Sequence, residues 1–268
     1  MKPFDKKIIH LIPTAGLGNR LRTISSFYNY CKNNHIELIV HWHRQRGLNA
    51  PFSSIFEPIS DLKICDCNYI DYFTYNIPIL YNLKIPSLID KLFCRKAIYG
   101  LGLNQLDSLD INGEMTISTY SQQGDLYPLK QLFHPVKDIQ DIIDDFSSRF
   151  GNHTIGCHIR RTDNTMSIKE SSIDKFENRF NQLFKSNPDS QVFLCTDDAE
   201  LKAYLKNKYK GRILVYNSIL KRSSTLGIRD AVVELWLLSL TKEIWGSYWS
   251  SFTDMAVSLS GVKYTIVK

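Results

Sequence analysis

The run His158-Ile159-Arg160-Arg161-Thr162-Asp163 follows an apolar stretch, Thr154 to Cys157, with the composition of a buried strand. Two adjacent arginines at the carboxyl end of such a strand are costly unless an anion meets them, and in open α/β sheets that end is where ligands bind. A guanidinium matches phosphate oxygens with a planar fork that an ammonium lacks, so Arg160 and Arg161 point to a phosphate-bearing substrate. The alternative is an arginine pair that bridges two domains through structural ion pairs. Against it stands the cluster Thr162, Asp163 and Asn164, which is placed to hold the guanidinium groups still, as a binding site requires.

Four other segments carry chemistry. Gly16-Leu17-Gly18-Asn19-Arg20-Leu21-Arg22 opens a helix straight after the first strand; glycines there let a backbone approach a ligand, and the unpaired N–H groups of a helix start favour anions. As a dinucleotide fingerprint it lacks the third glycine, and a tight strand–helix turn is an equal reading. Leu194-Cys195-Thr196-Asp197-Asp198 ends another strand. Asp198 is a natural N-cap, while Asp197 either caps as well or accepts from a ribose, a base or an arginine. Glu234 lies in the apolar helix segment Ala231 to Leu238, where an unpaired buried acid is expensive. It turns to solvent or meets a specific donor, and guanine offers two, N1–H and N2–H. In Trp249-Ser250-Ser251-Phe252-Thr253-Asp254, Ser251 is the N-cap candidate, and hydroxyls and free amides there make either a neutral phosphate cradle or an ordinary capped turn.

The elements that position these segments alternate along the chain. Strands are expected over Lys7 to Pro13, Ile36 to Trp42, Leu62 to Cys67, Met115 to Tyr120, Thr154 to His158, Gln191 to Thr196, Arg212 to Tyr216, Glu243 to Tyr248 and Val262 to Val267. Helices are expected over Leu17 to Asn33, Pro135 to Phe150, Ser172 to Lys185, Asp198 to Lys210, Leu226 to Leu240 and Ser251 to Ser260. The aromatic stretch from Tyr69 to Asp110 gives no ordered pattern. Strand–helix alternation of this kind implies parallel sheets, with a boundary near residues 134–152 and two Rossmann-like halves facing a cleft, 1–140 and 141–268.

Composition sets the outer limits. The 268 residues, 43% hydrophobic and 22% charged, are those of an ordinary globular protein. A net charge of +6 from 33 basic and 27 acidic residues suits an anionic ligand but is too small and dispersed for nucleic acid. Of the six cysteines, Cys157 and Cys195 fall inside strands, and Cys65-Asp66-Cys67 is too tight for a zinc pair; Cys31 and Cys94 stand alone. A reduced, cytoplasmic protein is expected. No apolar run approaches the roughly 20 residues that span a bilayer, so membrane contact is at most peripheral.

Taken in order, the five segments resemble the GDP-fucose-dependent fucosyltransferase superfamily, above all the α-1,6-fucosyltransferases of N-glycans and of rhizobial Nod factors. The resemblance is strongest over residues 154–256. It implies a GT-B architecture, no metal or other cofactor, inversion at the sugar carbon, and a polysaccharide, glycan or glycolipid as acceptor. It implies that Arg160 contacts the donor pyrophosphate with Arg161 beside it, and that His158 lies against the nucleotide. Glu234 would meet guanine, where relatives carry Asp, and Ser250, Ser251 and Phe252 would line the phosphates. Gly16, Gly18, Asn19 and Arg20 would line the same cleft from the other domain, and Asp197 would join the donor site. The basic residue that follows the arginine motif in the mammalian-type enzyme is Asn164 here, so the catalytic base falls to Asp163 or Glu170. The alternatives are the same fold with GDP-mannose or a UDP-sugar as donor, and a non-catalytic nucleotide-binding module. The loop His41-Trp42-His43-Arg44-Gln45-Arg46 is expected to wall the acceptor site or to be a solvated loop.

Overall fold

The computed structural model describes residues 6–45, 47–66, 96–162 and 164–268. Arg46, Cys67, Cys94, Asp163 and most of the aromatic stretch, 69–95, lie outside the described residues. The chain divides into two compact units, residues 1–136 with 222–228 and residues 137–221 with 229–268.

The first unit is built on strands β1 (Ile8–Pro13), β2 (Glu37–Trp42), β3 (Lys63–Asp66), β4 (Lys96–Tyr99) and β5 (Glu114–Thr119). They form one sheet in the order β3-β2-β1-β5-β4, and every pair in it is parallel. Helix α1 (Leu17–Asn33) buries Leu17, Leu21, Ile24, Phe27, Tyr28 and Cys31, the three-and-four spacing of an amphipathic helix laid on a sheet. The described residues of this unit also include short helix α2 (Leu129–Leu132) and 3-10 turns at Phe52–Ser54 and Leu106–Ser108.

The second unit contains strands β6 (Thr154–Ile159), β7 (Gln191–Thr196), β8 (Ile213–Leu214), β9 (Glu243–Ser247) and β10 (Lys263–Val267) in the order β10-β9-β6-β7-β8, again all parallel. Its helices are α3 (Lys137–Ser147), α4 (Thr165–Glu170), α5 (Ile173–Ser186), α6 (Ala199–Lys208), α7 (Thr225–Ser239) and α8 (Ser251–Ser260). The first residues of α7 cluster with the first unit and the rest with the second. Central strand β6 is buried at every position, as a parallel strand covered on both faces must be. Phe176, Phe180, Leu205, Trp245 and Val267 pack in the core on one side of it. Gly246 of β9 allows α8 to approach closely: a Cβ there would run into the side chain of Thr253.

Three local expectations need correction. Ser250, not Ser251, caps α8, accepting from the Thr253 N–H. Helix α4 arises where no apolar period announced it; its start is fixed by Asn164, whose side chain accepts from Ser167 N–H. Strand β8 stops at Leu214, because beyond it Asp230 of α7 takes the hydroxyl of Tyr216 and the N–H of Ile219. The cysteines Cys31, Cys65, Cys157 and Cys195 are free thiols, and burial pushes the Cys31 thiol up to about 12. Among the described residues no helix is long and apolar enough to cross a membrane.

Candidate functional site

Strand pairing assembles the site. Ile159 stands opposite Thr196 of β7, and His158 opposite Gly246 of β9. The carboxyl ends of β6, β7 and β9 therefore bring three of the sequence segments to one edge of the second sheet.

Asp197 organises that edge. Its Oδ1 accepts the Arg161 N–H at 2.7 Å. Its Oδ2 accepts the Thr162 hydroxyl at 2.6 Å and the Thr162 N–H at 3.4 Å, and lies 2.8 Å from Arg160 Nη1. Burial alone would raise this carboxyl. The Thr162 hydroxyl, the Arg160 charge and the Arg161 N–H outweigh it and hold Asp197 below the ordinary carboxylate range. Part of the brace for the arginine turn thus comes from the neighbouring strand. The Arg160 N–H donates to Ser247 Oγ at 3.0 Å, and Arg161 Nη1 reaches the Ser171 carbonyl at 3.4 Å. Asp198 caps α6, accepting from Leu201 N–H at 3.0 Å.

His158 is buried. Its Nδ1 sits 2.8 Å from Thr253 Oγ1 and 3.2 Å from Ser250 Oγ, and its ring packs 4.9 Å from that of Phe252. Histidine, cap and helix start are one hydrogen-bonded assembly, with the first amides of α8 at the sheet edge. Ser251 is the first residue of that helix. Glu170 ends α4, and its carbonyl accepts Lys175 Nζ at 2.9 Å.

Glu234 is buried in α7 and meets a protein donor. Lys202 Nζ and the Ser218 hydroxyl both donate to Glu234 Oε1 at 2.8 Å, and Lys202 also donates to Ser218 Oγ at 2.8 Å and the Tyr216 carbonyl at 3.4 Å. Burial raises the Glu234 carboxyl and Lys202 opposes the rise. Sequence reasoning missed Lys202, whose apolar neighbours Leu201 and Leu205 on α6 are the only hint that it faces inward.

In the first unit the glycine turn has a different character. Ala15 adopts a φ of 66°, and Gly16 leads into α1 with no side-chain cap and nothing within 4 Å of where a Cβ would stand. The helix-start amides near Gly16, Gly18 and Asn19 are therefore not covered by a capping side chain, while Asn19 Oδ1 accepts from Arg22 Nη2 at 2.7 Å. Arg20 does not belong with them as a ligand. It is fully buried and donates to the Ala15 carbonyl at 3.0 Å, the His43 carbonyl at 2.6 Å and Gln45 Oε1 at 3.1 Å, with its guanidinium 4.8 Å from the Trp42 ring. The expected wall at 41–46 is in part interior: Trp42 and His43 are buried, and Trp42 Nε1 donates to the Ala50 carbonyl at 2.8 Å. His41 Nε2 lies 2.9 Å from His10 Nδ1. Burial, helped by neighbouring positive charge, pushes His41 down to about 4 and His43 to about 3.

No protein-family model matches the sequence, and no curated protein matches it. Solved structures do. The NodZ α-1,6-fucosyltransferase soaked with GDP-fucose matches at a TM-score of 0.63 and 16% identity, over 95% of this chain and 92% of that one; the same enzyme is described from Bradyrhizobium. POFUT1 without ligand matches at 0.61 and 10% identity, over 100% and 99% of the two chains. A variant of Arabidopsis thaliana FUT1 in complex with GDP matches at 0.59 and 16% identity, over 97% of this chain and 70% of the other. This α/β chain, with its two parallel five-stranded sheets, has the GT-B type of fold that these fucosyltransferases share.

Proposed function

We propose that this protein transfers fucose from GDP-fucose to a hydroxyl of a glycan or glycolipid, with inversion and without a metal, using the second unit for the donor and the first for the acceptor. The observation that carries the reading is the arginine turn: Arg160 and Arg161 are held by Asp197 at the joint carboxyl edge of β6, β7 and β9. In the reaction the acceptor oxygen attacks the anomeric carbon, and the bond from that carbon to the β-phosphate oxygen breaks. The electron pair leaves with GDP, and the acceptor proton passes to a base. Charge growing on the pyrophosphate is met by Arg160 and Arg161, by Ser250, and by the α8 amides at Ser251 and Phe252, which are preorganised donors of the kind that stabilise departing anions. His158 and its Thr253 and Ser250 partners pack against the nucleotide. Glu234 accepts from guanine, with Lys202 opposing the rise that burial gives its carboxyl. Gly16, Gly18 and Asn19 offer the uncapped amides of α1. The base is assigned to Asp163 or Glu170, the two acids that follow the arginines, and single amide replacements decide between them.

The Lys202 bond to Glu234 favours one second reading, a donor with another base, because a lysine already occupies an oxygen that guanine would use. Displacement of a fluorescent GDP analogue separates the two. GDP displacing far better than UDP and IDP supports guanine recognition; equal displacement by UDP moves the assignment to another nucleotide sugar.

A further inference from the structure

Of the four tryptophans, Trp42, Trp236 and Trp245 are buried, whereas Trp249 is 70% exposed. Its φ is 57°, in the left-handed region that bulky side chains avoid. That conformation is imposed from outside. Ser171 Oγ accepts the Tyr248 N–H at 2.8 Å, Ser167 Oγ donates to the Tyr248 carbonyl at 2.5 Å, and Asn164 Nδ2 donates to the Trp249 carbonyl at 2.9 Å. All three side chains come from α4 and its flanks, the segment directly after the arginine turn. An exposed indole fixed in a disfavoured backbone state by three separate side chains fits a binding role better than a solvent loop, since over-determined strain gathers at ligand sites.

Strand order gives the ligand's direction. Glu234 belongs to the β7 side, its carbonyl lying 3.9 Å from the thiol of Cys195. Arg160 leaves β6. Trp249 stands two residues past the end of β9, after Ser247, whose Oγ accepts from Arg160. Neighbouring strands are about 4.8 Å apart, so a nucleotide sugar with its base at Glu234 and its pyrophosphate at Arg160 runs on toward β9. We propose that Trp249 is the stacking platform for the pyranose ring of the donor. The inference rests on the nucleotide-sugar reading above. The C–H groups on one face of a pyranose are apolar and complement the negative face of an indole.

The test uses the indole as its own reporter. Acrylamide quenching of the wild type, less that of Trp249→Phe, isolates the Trp249 signal, while calorimetry on the same samples shows whether nucleotide is bound. The expected result is that GDP-fucose shields Trp249 and GDP does not, and that Trp249→Ala weakens GDP-fucose about five-fold with GDP affinity unchanged. Equal shielding by GDP and GDP-fucose, or none by either while GDP is bound, overturns the platform and leaves the nucleotide site standing. No GDP binding at all removes the nucleotide reading and this inference with it.

Discussion

Lys202→Met is the perturbation with the most directly calculable consequence. The ammonium is 2.8 Å from Glu234 Oε1, and the two side chains are 11% and 8% exposed. Removing one partner of a buried pair typically costs about 3–5 kcal/mol, because the other charge is left uncompensated. Glu234 has an escape, which is to bind a proton, and each unit of added pKa shift limits the cost at about 1.4 kcal/mol. Burial and Asp230 already raise this carboxyl and Lys202 opposes them, so its loss raises the folded-state pKa further. A folded pKa above the unfolded value gives stability that is fully present below the unfolded value, near 4.5, and is lost as pH rises through the folded one. The variant should therefore be about 3 kcal/mol less stable than wild type at pH 8 and much closer to it at pH 5. Tyr216, bonded to Asp230, and the buried Cys195 thiol also face this cluster, but burial raises both, so neither ionises in this range. Urea unfolding followed by circular dichroism at pH 5, 6.5 and 8 measures the difference. Adding Glu234→Gln should recover most of the loss. A deficit below about 0.5 kcal/mol, small even for one hydrogen bond, or one independent of pH, would refute the reasoning.

Three other expectations follow from single contacts. Asp197→Asn should destabilise the second unit by about 2 kcal/mol, since charge-assisted bonds to Arg160 and the Thr162 hydroxyl are weakened; an unchanged urea midpoint would show that Asp197 does not hold the turn. Gly246→Ala should cost about 1–3 kcal/mol through overpacking against Thr253, and Thr253→Ser in the same chain should recover part of it, whereas a neutral Gly246→Ala would disprove the tight helix approach. Acidification from pH 6.5 to pH 5 should cost a few kcal/mol in total, because His41 and His43 are depressed to about 4 and about 3 in the folded state, so the unfolded chain takes up protons first. A stability profile flat across that range would show both rings to be ordinary.

The parts of the fold legible in the sequence are those with strong local signals. The bounds of Leu17–Asn33, Gln191–Thr196 and Ser251–Ser260 are as expected from the sequence, since apolar spacing and flanking Gly or Asn mark their ends. Helix Thr165–Glu170 was not legible, because it exists through tertiary bonds from Asn164, Ser167 and Ser171 to the backbone of Tyr248, Trp249 and Val267, and such bonds leave no periodic trace. The site divides in the same way. Strand-end position and residue type single out Arg160, His158 and Asp197, and the sheet register brings them to one edge. The partners that decide what each acid or arginine does lie far off in sequence: Lys202 is 32 residues from Glu234, and His43, which takes the Arg20 guanidinium, is 23 residues away. A buried charge announces that it needs a partner, but not which one.

The central claim is that the arginine turn binds the pyrophosphate of GDP-fucose. Titration calorimetry of GDP and GDP-fucose in EDTA, on wild type and Arg160→Ala, tests it most directly. The account predicts binding of both ligands to the wild type without metal, and a loss of about 10- to 100-fold in the variant, the equivalent of one or two charge-assisted hydrogen bonds. Wild-type protein that binds neither ligand, that binds only when a divalent cation is added, or that binds no better than Arg160→Ala would contradict it.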